Sequence, residues 1–274
     1  MAAMFRQWSP IGLLLTVMLA CGAVLAASGD LYQASAVVSG QGEASRSIGL
    51  AQTFEDVLVK VSGDPRLMGD PKVTALKQQA AQFVATYQYR DRMSGVPIHD
   101  EQGTYDRPHD LTVSFDPARI DALLHSLGRK AWLDPRPRIV VFLDVVGRKE
   151  SFALAEDGSK EPDMRSSLAA AARKVGLPVA LPTVAQLTKY ELNAETLPSA
   201  DLSVFDAAAR NAGGDVALAG DLRWSDSALG WIADWRIDYR GTPFRWQIKG
   251  VGFDDAFRNG MRGAAQILSG NGPP

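Results

Sequence analysis

Three stretches near the end of the chain decide its fold: Val216-Ala-Leu-Ala-Gly-Asp-Leu-Arg-Trp224, Gly230-Trp-Ile-Ala-Asp-Trp-Arg-Ile-Asp-Tyr239 and Phe244-Arg-Trp-Gln-Ile-Lys249. In the first, Val216, Leu218, Leu222 and Trp224 alternate with Ala217, Ala219, Asp221 and Arg223. In the second, Trp231, Ala233, Trp235, Ile237 and Tyr239 alternate with Ile232, Asp234, Arg236, Asp238 and Arg240. In the third, Phe244, Trp246 and Ile248 alternate with Arg245, Gln247 and Lys249. A period of two places successive side chains on opposite faces of a strand. Three such runs with short connections predict an antiparallel meander with one aromatic face and one charged face.

Trp224, Trp231, Trp235 and Trp246 then share one face. They suit either a stacking platform or a core, and the next segment argues for a core. Phe257, Met261, Ala264 and Leu268 recur on one side of a helix over 254–268, which can cover the aromatic face. The charged face mixes signs. Asp221, Asp234 and Asp238 stand against Arg223, Arg236, Arg245 and Lys249, a pattern that suits cross-strand ion pairs or the docking of a partner.

Upstream, Ile139–Val146 is a nearly continuous apolar run of the kind found in a central, doubly buried strand. Pro162-Asp163 opens a helix whose inner face is Met164, Leu168, Ala171, Ala172 and Val175, closed by Gly176 and Pro178. A short helix is expected over 201–212. The two prolines of Trp132-Leu-Asp-Pro-Arg-Pro-Arg138 break any helix there and mark a boundary.

The first unit opens with a strand over 31–38. Leu50, Phe54, Val57, Leu58 and Val61 then line one face of a helix that Ser62-Gly63 ends. A second helix is predicted from Pro71 to about Tyr87, then strands over 87–93 and 111–115. Asp116-Pro117 caps a helix carrying Ile120, Leu123, Leu124 and Leu127. The expected fold class is therefore α+β. Two small domains are expected, the second with an antiparallel meander covered by helices: 28–130, a linker at 131–137, 138–270, and a flexible tail at 271–274.

The N-terminus has a different character. Arg6 is the only charged residue before Asp30, an apolar run spans Ile11–Ala20, and small residues follow to Ala27. That is the pattern of a cleavable secretory signal over 1–27, cut after Ala26 or Ala27. The lone cysteine, Cys21, lies inside it. Leu19-Ala20-Cys21-Gly22 resembles the end of a lipoprotein signal, which makes Cys21 a candidate lipid anchor. Leu19 and Met18 depart from that pattern, however, and apolar sequence continues past Cys21. Cleavage leaves a mature chain without cysteine, hence without disulfides or thiolate ligands. Of 29 basic residues only Arg6 is lost, so 28 stand against 31 acidic ones. A balance so close to neutral gives no electrostatic case for nucleic acid.

Little in the chain points to chemistry. His99 and His109 are expected in or beside an exposed loop and His125 on the capped helix, with no metal-ligand spacing among them. No G-x-S-x-G elbow is present. Gly40-Gln41-Gly42 lacks the third glycine of a dinucleotide loop and is read as a turn. Asp144 and Glu150 flank a strand end and are expected to be solvated, and Asp254-Asp255 caps a helix. No catalytic residue, cofactor site or metal site is assigned.

Val57-Leu-Val-Lys-Val-Ser-Gly-Asp64 resembles the signature of an exported proteobacterial family known only as a domain of unknown function. Gly213–Leu222, Gly230–Trp235 and the final helix resemble the rest of that family's pattern. More loosely, the second unit is similar in element order to the N-terminal domain of the Tol–Pal translocation protein and to the outer-membrane activators of penicillin-binding proteins. The resemblance implies a periplasmic protein acting by protein contact. The expected function is a non-enzymatic envelope adaptor or assembly factor, with an unidentified envelope protein as partner and Arg236, Arg245 and Lys249 on its docking face. The alternatives are a cell-wall glycan hydrolase using unidentified carboxylates and a carrier of an apolar ligand.

Overall fold

The computed structural model describes residues 31–95 and 106–274. The expected signal over 1–27, Cys21 within it, and His99 lie outside the described residues. The described chain folds as α+β around two sheets.

The first sheet is antiparallel, in the order β1 (Gln33–Ser39), β3 (Pro108–Phe115), β2 (Val84–Asp91). Helix α1 (Glu43–Ser62) packs on it through the face read from the sequence, with Phe54, Val57, Leu58 and Val61 fully buried. The helix expected from Pro71 to Tyr87 is much shorter. α2 (Pro71–Leu76) gives way to a 3-10 stretch over Lys77–Phe83, and β2 begins at Val84. Val84, Thr86, Tyr87 and Tyr89 are β-branched or aromatic, and their backbone pairs with the neighbouring strand. That long-range pairing overrides the helical spacing of Val73, Leu76, Ala80 and Phe83. Helix α3 (Pro117–Ser126) starts as expected, the Asp116 carboxylate accepting from the Arg119 amide at 3.2 Å.

The second sheet runs β5 (Ser151–Ala153), β4 (Ile139–Val146), β7 (Val216–Ser225), β8 (Gly230–Tyr239), β9 (Thr242–Val251), with the two-residue β6 (Val179–Ala180) also pairing with β4. β7–β8–β9 is the antiparallel meander, and β4 joins it in parallel through β7. Helices α4 (Pro162–Lys174), α5 (Val184–Lys189) and α6 (Leu202–Asn211) lie between β4 and β7 in sequence, and α7 (Phe253–Leu268) follows β9. β4 is buried on both faces, as its composition requires. Ile139, Val141, Leu143 and Val145 face the larger core with α4 and α7. Val140 and Phe142 face a smaller one with Leu187 of α5 and Phe205 of α6.

The larger core is continuous across the segment 131–137, taking in Phe54 and Leu111 on one side and Leu143 and Trp235 on the other. The end of α1 is the junction. Its last carbonyls have no partner within the helix, and each finds one elsewhere. The Lys60 carbonyl accepts from Arg136 Nη2 at 2.6 Å, and Val61 from the Trp132 amide at 2.8 Å. Ser62 accepts from Asn271 Nδ2 at 2.9 Å, and Gly63 from Ser269 Oγ at 3.3 Å. Gly63 caps the helix at φ 69°, in the left-handed region that glycine adopts without strain. Asp64 is fully buried. Burial alone would raise its pKa, but hydrogen bonds from Arg66 and Arg129 outweigh that and hold it below the usual range. Residues 271–274, expected as a flexible tail, are tethered where they begin. Asn271 bonds the Ser62 carbonyl and receives a bond from Arg66, and Gln266 Nε2 holds the Pro273 carbonyl.

Among the described residues no helix is long and apolar enough to cross a membrane.

Candidate functional site

The two faces of the meander have different fates. On the aromatic face Trp235 is 2% exposed and Trp246 9%, beneath α7, whose Phe257, Met261 and Ala264 are fully buried. Gly260 and Gly263 of that helix lie directly over the indoles. A Cβ at Gly260 would stand 2.6 Å from Trp235, and one at Gly263 2.5 Å from Trp246. The tryptophans at the centre of the meander are therefore core, and the helix fills the space an apolar ligand would need. Trp224 and Trp231 lie at the far end of the same face and are only half-buried. They meet edge to face at 5.6 Å, with the Arg148 guanidinium 4.6 Å above the Trp224 ring.

The charged face is covered only in part. α5, α6 and the turn segment 190–200 pack over its apolar end, burying Leu192, Leu197, Phe205, Ala217 and Ala219. Beyond that cover a cleft of about 610 Å³ opens. It runs between the Leu197–Pro198 wall and a floor carrying Asp221, Arg223, Asp234, Arg236, Arg245 and Gln247. The wall is clipped to the floor by Arg236. Its Nη1 donates to the Ala200 carbonyl at 3.2 Å, its Nη2 donates to the Leu197 carbonyl, and its guanidinium lies 5.0 Å from the Phe205 ring centre.

Strand register sets the electrostatics. Asp144 of β4 stands beside Asp221 of β7, which is opposite Asp234 of β8. One step along, Arg236 of β8 is opposite Arg245 of β9. Like charges directly opposite are destabilising, whereas an ion-paired sheet surface places unlike charges there. Of the expected cross-strand pairs, Arg223–Asp234 at 2.8 Å forms on the diagonal. Arg223 also pairs with Asp221 of its own strand, and Gln247 Nε2 donates to Asp234. Arg245 makes no hydrogen bond or ion pair with any described residue. Burial lowers the Arg236 pKa, the charge of Arg245 lowers it further, and Asp221 opposes them.

Asp144 corrects the sequence expectation most sharply. It is 1% exposed rather than solvated, and neither carboxylate oxygen has a hydrogen-bond partner among the described residues. Burial and the neighbouring Asp221 push its pKa up to about 7. Asp221 is raised too, by burial first. Arg223 opposes that and Asp234 adds to it, and its Oδ1 is also unpartnered. Glu150, the other acid of the expected pair, is remote from this row and bonds Lys160. The signal for Asp144 was present in the sequence as one acid inside an apolar strand.

His109 is likewise buried, not exposed in a loop. It sits on β3, where Nδ1–H donates to the Arg107 carbonyl at 2.8 Å and Nε2 faces the Gln41 amide at 3.1 Å. His125 is exposed on α3. No group of three or more His, Cys, Asp or Glu side chains is placed to hold a metal ion among the described residues. Gly40-Gln41-Gly42 is a bend leading into α1, with Gly40 at φ 74°.

Residues 26–133 match the family described as Domain of unknown function (DUF8605). The match includes Val57–Asp64 and ends before β4, so the cleft lies wholly outside it. No curated protein matches the chain.

Proposed function

We propose that this is an exported protein of the bacterial cell envelope that acts by binding another protein, with the cleft on the charged face of the second sheet as its docking site. The observation that carries the reading is the register of the cleft floor. Asp221 stands opposite Asp234, and Arg236 opposite Arg245, in an open depression. Charge placed against folding stability is best explained by a ligand that complements it. The signal-like segment 1–27 supports export, with cleavage into the periplasm rather than lipidation at Cys21. The likeness of the second unit to envelope accessory domains supports action by contact. β9 lies at the end of the sheet order, and among the described residues no strand pairs with its outer edge, which suits a partner's backbone.

Crosslinking in living cells from a photoreactive residue at Pro198 tests the reading. One or two reproducible envelope partners should be trapped, and lost with Arg245→Glu/Lys249→Glu. Arg236 is left intact because it holds the cleft wall. A variant that folds and still traps the same partners would overturn the assignment of the surface.

A second reading, hydrolysis through carboxylates, is favoured by Asp144 and Asp221, neighbours of which the first is held near neutrality. Asp144 does not line the cleft, however, and is buried beside Asp221 on the next strand. Glycan hydrolysis lost on Asp221→Asn with folding intact would favour this reading over docking.

A further inference from the structure

Arg236 and Arg245 are the two charges on the cleft floor that form no ion pair with a carboxylate among the described residues, Asp221 acting on Arg236 only at longer range. Arg236 lines the cleft and spends two of its five N–H donors on the carbonyls of Leu197 and Ala200, which leaves three without a bond to any described residue. Arg245 is exposed and spends none. Side chains directly opposite on antiparallel strands have Cβ atoms roughly 4.5–5.5 Å apart. Two planar forks rooted on such neighbouring positions are within reach of one planar oxyanion.

The surroundings select among anions. One register step away are Asp221 and Asp234, which Arg223 bridges, and Asp221 also feels the charge of Arg236. A phosphate dianion between the arginines would face that acidic row, whereas a carboxylate brings a single negative charge. The acidic row in turn suits the N–H groups that precede a carboxylate in a peptide. At about 610 Å³ the cleft can take the last few residues of a chain, with Leu197–Pro198 as an apolar wall on one side and the outer edge of β9 on the other.

We infer that Arg236 and Arg245 together bind the C-terminal carboxylate of a peptide chain lying in this cleft. The inference rests on the docking reading and specifies what the partner presents.

The test is a titration of the purified protein followed through the arginine Nε–Hε resonances by NMR. The probes are N-acetyl-Ala-Ala-Leu as the free acid, its C-terminal amide, acetate and inorganic phosphate. The free acid should move the Arg236 and Arg245 resonances saturably and bind at least tenfold tighter than the amide. Acetate should move them in the same direction at higher concentration, and phosphate at pH 8 should bind no better than acetate. Arg245→Gln should abolish the response. Because it also relieves the repulsion of Arg236, this variant should melt no lower than the parent without ligand. Equal binding of acid and amide, or free-acid binding unchanged in Arg245→Gln, would overturn the inference. So would acetate binding as tightly as the peptide, which would make the site one for small organic acids. If in-cell partner capture is lost with Arg245→Glu/Lys249→Glu while acid and amide bind alike, docking stands and terminal-carboxylate recognition falls. Tight binding of the acid with no partner trapped in cells would remove the docking reading instead.

Discussion

Asp144 has a carboxylate in a position where its neighbours, Val140 and Phe142 on the same face, are core residues. An aspartate titrates near 3.9 in an unfolded chain, and here it titrates at about 7. The folded state therefore binds this proton more tightly. The stability it contributes is fully present below about pH 4 and is lost as pH rises through about 7. Asp144→Asn mimics the protonated form at every pH. It should be more stable than the parent at pH 8, by roughly 1–3 kcal/mol once relaxation around the buried carboxylate is allowed for, and no more stable at pH 4. Denaturant unfolding at pH 4, 6 and 8 measures this, and a constant difference across the three would refute the buried-carboxylate account. The sequence carried half of this result. An acid within Ile139–Val146 is visible to any reader, but its neighbour is Asp221, far along the chain. Only the parallel register of two distant strands brings the pair together. Arg236 and Arg245 are similar. Their alternation put both on the charged face, whereas their being opposite depends on the turn at 240–241.

Elements whose signal is local were legible from the sequence, and those made by distant pairing were not. The meander, α1, α3 and α7 announce themselves through periodicity and capping residues within a single stretch. β6 and β5 have two and three residues, too few for any period, and exist because β4 offers them an edge. The helix over 71–87 failed for the same reason, as a strand partner outcompeted a local pattern. α7 shows what the pattern alone does not record, the closeness of its approach to the sheet. Gly260 lies on Trp235 from one side while Gly220 lies on it from the other, with a Cβ there only 2.5 Å from the ring. Gly260→Ala gains helix propensity, worth about 1 kcal/mol on an exposed helix. Here the added methyl meets a fully packed indole, and overpacking of that kind costs about 1–3 kcal/mol. The net effect should be a lowered melting temperature with a shifted tryptophan emission. A melting temperature at or above the parent's would mean that α7 does not pack so closely on the meander.

At the scale of the whole molecule, the segment 131–137 has the composition of a linker but not its packing. Trp132 is 9% exposed, its amide bonds the Val61 carbonyl, and Arg136 stacks 4.3 Å over its ring. From that position the Arg136 guanidinium donates to the Lys60 carbonyl at the end of α1 and, at 2.5 Å, to the Val175 carbonyl at the end of α4. One half-buried cation thus closes the C-terminal ends of two helices, one from each side of the segment, where the helix dipole favours positive charge. Burial lowers its pKa to about 10, still well above neutrality, so it remains charged and its bonds are charge-assisted. Arg136→Ala takes that partner from the carbonyls of Lys60 and Val175, and a buried acceptor left unsatisfied costs about 1–3 kcal/mol. With the larger core running through the same region, the parent should unfold in a single transition by circular dichroism and tryptophan fluorescence alike. Arg136→Ala should lower the midpoint by several degrees and pull the two probes apart, since most tryptophans lie after residue 200. If the parent itself shows two well-separated transitions, residues 28–130 and 138–270 are energetically independent and the junction at α1 is a contact without cooperative consequence. Coincident transitions would instead make the α1 terminus, with Val57–Asp64 at its end, the element that binds the cleft-bearing sheet to the rest of the molecule.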